Sequence, residues 1–209
     1  MINITNEDNM ALMSRYPDNY FDLAIVDPPY GIGIDGQKEQ QKGKKSDRKK
    51  HIKKGWDNEI PNAKYFEQLF RVSKNQIIWG ANYFVEHLTK GTKGWIVWDK
   101  GQHGLTMSDC ELAYSSFNKP TRIYLKNRVQ LLIEGTIHPT QKPITLYKWL
   151  LKNYANEGDK ILDTHLGSGS IAIACHDMGF DLTACELDPD YFKAAMKRLK
   201  DHQKQLKLL

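Results

Sequence analysis

Residues 160–186 restrict the fold of this chain more than any other stretch. Lys160, Ile161, Leu162 and Asp163 read as a short strand, Gly167-Ser168-Gly169-Ser170 opens a helix that runs to about Met178, and residues 181–186 read as a second strand ending in Glu186. Two parallel strands joined through a helix form a βαβ unit, which needs a sheet covered on its faces by helices. Gly167 and Gly169 carry no Cβ, so backbone can approach a ligand closely there. An acid at Glu186, about twenty residues beyond the first strand, lies where both hydroxyls of a ribose can donate to it. The layout suits an adenosine-containing cofactor. A nicotinamide site would normally read GxGxxG, whereas this turn runs G-S-G-S-I-A and ends in Ala172. A plain tight connection also fits these residues, so the cofactor class stays open at this point.

The rest of the chain repeats the alternation of strand and helix. Strands are expected over residues 21–26, 76–80, 95–98, 111–115 and 122–125, and helices over 8–15, 62–72, 143–155 and 189–200, from apolar spacing and from Pro at helix starts. At 209 residues, 40% hydrophobic and 26% charged, the chain fits one globular domain, 1–209. No stretch approaches the roughly 18 consecutive apolar residues of a membrane span, and residues 1–5 do not resemble a secretory leader. A cytoplasmic protein with no membrane contact is the expectation. Cys110, Cys175 and Cys185 have no CxxC spacing and read as reduced core thiols, and the histidines show no metal-ligand spacing, so no metal site is expected.

The strand at residues 21–26 ends abruptly at Asp27-Pro28-Pro29-Tyr30, because consecutive prolines cannot continue a ladder. These four residues suit one kind of chemistry. The exocyclic amino nitrogen of adenine or cytosine is a poor nucleophile, since its lone pair is delocalised into the ring. A carboxylate at Asp27 and a backbone carbonyl at Pro28 can each accept one amino hydrogen and so direct that lone pair at an incoming methyl group. Pro28 and Pro29 stiffen the turn and bring no competing N–H. Tyr30 can stack on a base that has left the helix, as chemistry on a duplex base requires. A strand-ending turn with no chemical role is the bland alternative, and it loses ground in a chain that also carries the cofactor unit.

Net charge is +5, and it is concentrated in one place. Between Lys38 and Lys54 nine Lys or Arg stand against Glu39 and Asp47. Residues 31–55 read as a long surface loop, and Lys44, Lys45, Arg48, Lys49, Lys50, Lys53 and Lys54 within it have the footprint of a phosphate-backbone contact as well as that of a solvated tether. Trp56, at the end of the loop, reads as a core residue, with base stacking as the other reading.

Taken together, these segments resemble the amino-methyltransferases of DNA, in the permuted group whose catalytic tetrapeptide precedes the glycine loop. The resemblance covers most of the chain and rests on Asp27 to Tyr30, residues 77–82 (I-I-W-G-A-N), residues 95–100 (W-I-V-W-D-K), residues 138–143 (H-P-T-Q-K-P) and Asp163 through Glu186. It implies an α/β, Rossmann-like S-adenosylmethionine-dependent methyltransferase fold, circularly permuted, with a seven-stranded, mostly parallel sheet containing one reversed strand. It implies S-adenosylmethionine as cofactor, with Asp163 at the amino end of its methionine part, Gly167, Ser168 and Gly169 beneath it, Glu186 on the ribose with Leu187 beside it, and His138, Lys142 and His165 bordering the same pocket. Asp27, Pro28, Pro29 and Tyr30 take the catalytic role. Asp as the first residue of the tetrapeptide tilts the resemblance toward adenine N6 over cytosine N4. DNA is the implied partner, and a homodimer is consistent with small members of the group.

This chain departs from the family pattern in two places. Thr164-His165 replaces the usual Pro-Phe, with His165 expected to stand in for an aromatic wall. Only residues 117–137 occupy the place where larger members insert a recognition domain, so sequence specificity is expected to be low or to come from elsewhere. Methylation of an RNA base and a nucleic-acid-binding module without activity remain as rival functions. If the basic loop contacts DNA, reversing the charge of Lys44, Lys45, Lys49 and Lys50 together weakens binding uniformly across sequences. It also flattens the salt dependence by close to one unit of slope per lost phosphate contact, which fluorescence anisotropy in a salt titration measures.

Overall fold

The computed structural model describes residues 1–35, 54–88, 91–104, 108–127 and 137–205. Eight strands form one sheet: β1 (Ile2–Thr5), β2 (Phe21–Val26), β3 (Ser73–Trp79), β4 (Trp95–Asp99), β5 (Cys110–Ser115), β6 (Arg122–Leu125), β7 (Lys160–Asp163) and β8 (Asp181–Cys185). Their spatial order is β1-β8-β7-β2-β3-β5-β4-β6. Every pairing is parallel except the two that β5 makes with β3 and β4, so β5 alone runs backwards. The mostly parallel sheet with one reversed strand matches the sequence expectation. The count differs by β1, a four-residue edge strand too short to show periodicity, which is held by its register with β8 from Ile2↔Leu182 to Thr5↔Cys185.

Helices cover both faces: α1 (Asn9–Ser14), α2 (Ala63–Val72), α3 (Ile144–Tyr154), α4 (Ser170–Met178) and α5 (Pro189–Gln203). Side chains alternate along each strand, so a strand buried on both faces is apolar throughout. In β2, Leu23 and Ile25 join Ile77, Trp79, Leu150, Ile173 and Leu199 in the core beneath α3, α4 and α5. Ala24 and Val26 face the opposite way and join Leu12, Met13, Phe66, Leu69 and Ile78 beneath α1 and α2. Helix starts follow the local chemistry of their sequences: Asp8 accepts from the backbone of Met10 and Ala11 at 2.8 and 3.1 Å, Asn62 caps α2, and Asp188 caps α5 with Pro189 in its first turn.

The functional consequence lies between β7 and β2. They are parallel neighbours, with Leu23 opposite Ile161 and Ala24 opposite Leu162. From β7 the chain crosses through α4 to β8 on one side, while from β2 it crosses through α2 to β3 on the other. The two crossovers therefore diverge on opposite faces of the sheet and open a crevice at the carboxyl ends of β7 and β2. Asp163 and Asp27 stand at those ends. Among the described residues no helix is long and apolar enough to cross a membrane. Leu23 is fully buried at this pairing, and its truncation in Leu23→Ala is expected to cost about 2–5 kcal/mol of stability, measurable by urea unfolding.

Candidate active site

A cleft of about 740 Å³ opens at this crevice, and Asp27, Pro28, Pro29 and Tyr30 share its lining with Gly167, Ser168, Glu186 and Leu187. The tetrapeptide and the glycine turn, distant in the chain, are thus two walls of one space. Its size suits a small-molecule ligand, for which pockets run roughly 300–1,000 Å³.

On the tetrapeptide wall, the Tyr30 hydroxyl donates to Asp27 Oδ1 at 2.6 Å. The Tyr30 ring stacks on Tyr83, with centroids 5.2 Å apart and planes 17° from parallel. It also lies against Gly80, where a Cβ would sit 2.0 Å from a ring carbon and the backbone has a φ of 69°. Gly80 in I-I-W-G-A-N therefore makes room for Tyr30. The backbone after the prolines is fixed by Asp57, whose Oδ1 accepts from the N–H groups of Tyr30 and Gly31 and whose Oδ2 accepts from Ile34, all at 2.8–2.9 Å. Asp57 is 1% exposed, so the far end of the basic loop pins the start of that loop.

Lys142 lies in the lining of the same cleft as Gly167 and Glu186, and its ammonium has a further set of partners. Although it borders the cleft, its ammonium turns to the tetrapeptide, 2.5 Å from Asp27 Oδ2 and 3.2 Å from the Tyr30 oxygen. On its other side it meets Glu111 Oε2 at 3.0 Å, and Glu111 Oε1 meets Lys100 at 2.9 Å. The physical reason is burial: a lysine side chain only 1% exposed needs anionic partners. Burial works against the Lys142 charge, but Asp27 and Glu111 raise its pKa overall. Burial also opposes ionisation of Glu111, yet Lys142 and Lys100 hold its carboxyl at about 2. For Asp27, burial pushes the carboxyl up, Lys142 pulls it down, and the Glu111 charge pushes it up again.

The glycine wall is built by backbone and by α5. Gly167 donates its N–H to Glu186 Oε2 at 2.8 Å, and Asp188 donates to Oε1 at 2.9 Å, which holds the Glu186 carboxylate beside the turn. A Cβ on Gly167 would meet nothing closer than the His138 ring at 3.9 Å, so that position faces open cleft. Gly169 behaves differently. Its Cβ would sit 3.1 Å from Ala195 Cβ, and its φ is 72°, so Gly169 serves the close contact of the turn with α5 and does not line the cleft. Arg198 of α5 donates to the Ser168 carbonyl and to Ser170 Oγ, both at 2.9 Å.

Asp163 also sits behind the lining, 2% exposed, with Oδ1 accepting from the His165 N–H at 3.0 Å. Burial pushes its carboxyl up to about 8. His165 lines the cleft edge-on to Tyr65 at 5.2 Å. Thr164 Oγ1 lies 3.0 Å from His165 Nδ1 and 2.8 Å from the Tyr65 hydroxyl, and Asn9 lies 3.1 Å from His165 Nε2. Burial lowers the His165 pKa to about 4, which keeps the ring neutral at pH 7. His138 lines the cleft between Trp56 and Tyr191, at 5.2 and 4.4 Å. Trp56 is accordingly a wall of the cleft, in neither the core nor a free stacking position.

Of the basic loop residues, Lys44, Lys45, Arg48, Lys49, Lys50 and Lys53 lie outside the described residues. Lys54 is described, and it departs from its expected role: its ammonium is engaged by Asp188 and Asp190 of α5, each at 2.7 Å. Two acids at a helix start hold this lysine within the chain and not toward a partner. Sequence reasoning missed Glu111, and it missed Asp57, Tyr147, Glu7 and Asp8, which line the cleft. Asp57 and Glu111 carry no local signature; W-D-K at residues 98–100, a lysine beside a buried strand, was the available hint that a buried anion lies nearby. Along the lining, Glu7, Asp8, Asp27, Asp57, Glu59, Glu186 and Asp188 outweigh Lys54 and Lys142, so the cleft favours a cationic ligand.

The comparisons agree with this architecture. A family profile described as DNA methylase matches residues 38–197. Type II methyltransferase M.HpaI of Haemophilus parainfluenzae is 36% identical over 62 residues, 30% of this chain, and that stretch spans 20% of the relative's length. Among solved structures, the M1.HpyAVI–SAM complex superposes with a TM-score of 0.62 at 21% identity, covering 95% of this chain and 100% of that one. PvuII DNA methyltransferase (cytosine-N4-specific) superposes with a TM-score of 0.61 at 11% identity, covering 96% and 90%. The chain has the Rossmann-like fold of these methyltransferases. Asp27 to Tyr30 precede the matched residues and are tied to the site by geometry.

The raised Asp163 carboxyl has a measurable consequence. A group near 3.9 in the unfolded chain and about 8 in the fold favours the folded state at low pH, and that contribution is lost as pH rises from about 4 to 8. Urea unfolding of Asp163→Asn is expected to show less loss of stability over that window than the unaltered chain, with the largest difference at the alkaline end.

Proposed function

The chain belongs to the DNA methylase family, and on that premise we propose that it is a DNA methyltransferase that moves a methyl group from S-adenosylmethionine to the exocyclic N6 of adenine in a base turned out of the helix. The observation that carries this reading is the shared cleft: the Asp27 carboxylate and the Gly167–Glu186 wall sit at the ends of two adjacent parallel strands. The lining fits the cofactor in charge and in shape, since acids surround the cleft and Gly167 leaves it open. Gly167, Ser168, Glu186, Leu187, His138 and His165 are the residues assigned to hold it, with Asp163 supporting the turn from behind. When bound, S-adenosylmethionine supplies a methyl group on a positively charged sulfur.

The chain's own residues do the rest. Asp27 and the Pro28 carbonyl would accept the two amino hydrogens, which directs the nitrogen lone pair toward the methyl group that the cofactor would supply. The nitrogen then carries the extra charge and sheds its proton, so no strong base is required. Tyr30, backed by Tyr83 and Gly80, offers a fixed aromatic surface to the base. Lys142 holds the Asp27 carboxylate in place.

Adenine is favoured by Asp at position 27. Cytosine N4 is the second reading, supported by the fold shared with an enzyme named for that specificity. Incubation with DNA and the cofactor, followed by mass spectrometry of the nucleosides, distinguishes the two products, and the absence of any methylated nucleoside overturns both. Asp27→Ala is expected to lower methyl incorporation by roughly 100-fold or more, on the scale of losing one preorganised hydrogen-bond partner, while cofactor affinity measured by calorimetry changes only a few-fold.

A further inference from the structure

Behind Asp27 the charged groups alternate without a break. Lys100, just past β4, meets Glu111 of β5 at 2.9 Å; Glu111 meets Lys142 at 3.0 Å; Lys142 meets Asp27 at 2.5 Å. The hydrogen-bond capacities match this geometry. An ammonium has three donors, and Lys142 has three acceptors: Asp27 Oδ2, Glu111 Oε2 and the Tyr30 oxygen, whose own hydrogen goes to Asp27 Oδ1. Glu111 gives one carboxylate oxygen to each lysine. The Lys142 ammonium also lies over the Trp79 ring at 5.2 Å, so it has a floor as well as walls. Of the four charged groups, Asp27 and Lys142 reach the cleft, whereas Glu111 and Lys100 do not line it.

Buried ion pairs of this kind add little to stability compared with apolar side chains of similar size, so stability alone gives a weak account of the arrangement. We propose that Glu111 and Lys100 are positioning residues that share the charge of Lys142, so that its ammonium orients the Asp27 carboxylate without neutralising it. The inference rests on the reading of Asp27 as the acceptor of the amino hydrogens. That task needs a carboxylate that is fixed in place yet still electron-rich. With Glu111 absent, the whole Lys142 charge falls on Asp27 and weakens it as an acceptor. With Lys100 absent, Glu111 takes a larger share of Lys142 and leaves Asp27 less compensated. The other titratable groups that act on or are acted on by Asp27 are Tyr30, Tyr65 of α2, Tyr147 of α3 and Asp163 of β7; the Glu111 charge also acts on Tyr30 and Tyr147, but burial is the first cause that raises both phenols, so they stay protonated through the acidic range with or without it.

The two substitutions therefore move Asp27 in opposite directions. The full chain is labelled with carboxyl-13C aspartate, the Asp27 signal is identified by its loss in Asp27→Asn, and the signal is followed in a pH titration. Glu111→Gln is expected to shift the Asp27 midpoint down by about one unit, a tenfold change in proton affinity, and Lys100→Met to shift it up. In a methyl-transfer assay the acidic limb of the kcat profile moves the same way in each variant, while KM for the cofactor stays within twofold. A merely structural role would lower activity without moving the midpoints in opposite senses. Unmoved midpoints, or midpoints that move together, overturn the proposal. If Glu111→Gln fails to fold, Lys100→Met decides alone: an upward shift supports the proposal and an unchanged midpoint overturns it. Because the titration needs no turnover, an unaltered protein that methylates no nucleic acid would refute the proposed function while leaving this test intact.

Discussion

The parallel pairing of β2 with β7 is the contact on which the rest of the site depends. Only Leu23↔Ile161 and Ala24↔Leu162 are in register, yet this short ladder joins two segments that lie far apart in the chain. Because the strands are parallel, both end on the same edge of the sheet, and because their crossovers leave in opposite directions, nothing fills the gap between them. The Asp27 turn and the glycine turn inherit their nearness from this pairing. An antiparallel partner would have carried one of them to the opposite edge.

The site that results is electrostatically uneven. Carboxylates dominate the cleft lining, and burial pushes upward two of them, Asp27 and Glu186, together with Asp163 just behind the lining. Unshared buried acids are costly, and the structure answers that cost differently at each. Asp27 has Lys142, Glu186 has backbone N–H groups, and Asp163 has one N–H and a tendency to stay protonated. A cationic ligand would relieve all three, which links the appetite of the cleft for positive charge to the physics of its own walls. The same rule explains Lys54, held by acids at the start of α5.

Much of this was legible in the sequence because it is local chemistry. Strand alternation, prolines at helix starts, prolines that end a strand and glycines at a turn act over a few residues, and each appears where its spacing puts it. β1 was not legible, since four residues with mixed burial show no period and are ordered by β8 alone. Gly169 was read as a ligand-facing glycine from its place in the turn, but which of two neighbouring glycines faces the cleft depends on where α5 packs.

The sequence by itself determined an α/β sheet of parallel strands, a carboxylate held at the end of one strand by two prolines, and a glycine turn at the end of another, because these follow from backbone stereochemistry and the pattern of apolar residues. Only the tertiary structure decided what those groups touch: that Lys142 serves Asp27, that Glu111 and Lys100 stand behind it, that Asp57 pins the Tyr30 backbone, and that Gly80 makes room for the Tyr30 ring. Long-range partners of buried charges are chosen by proximity in three dimensions, and a charge cannot announce in one dimension which opposite charge will be buried beside it.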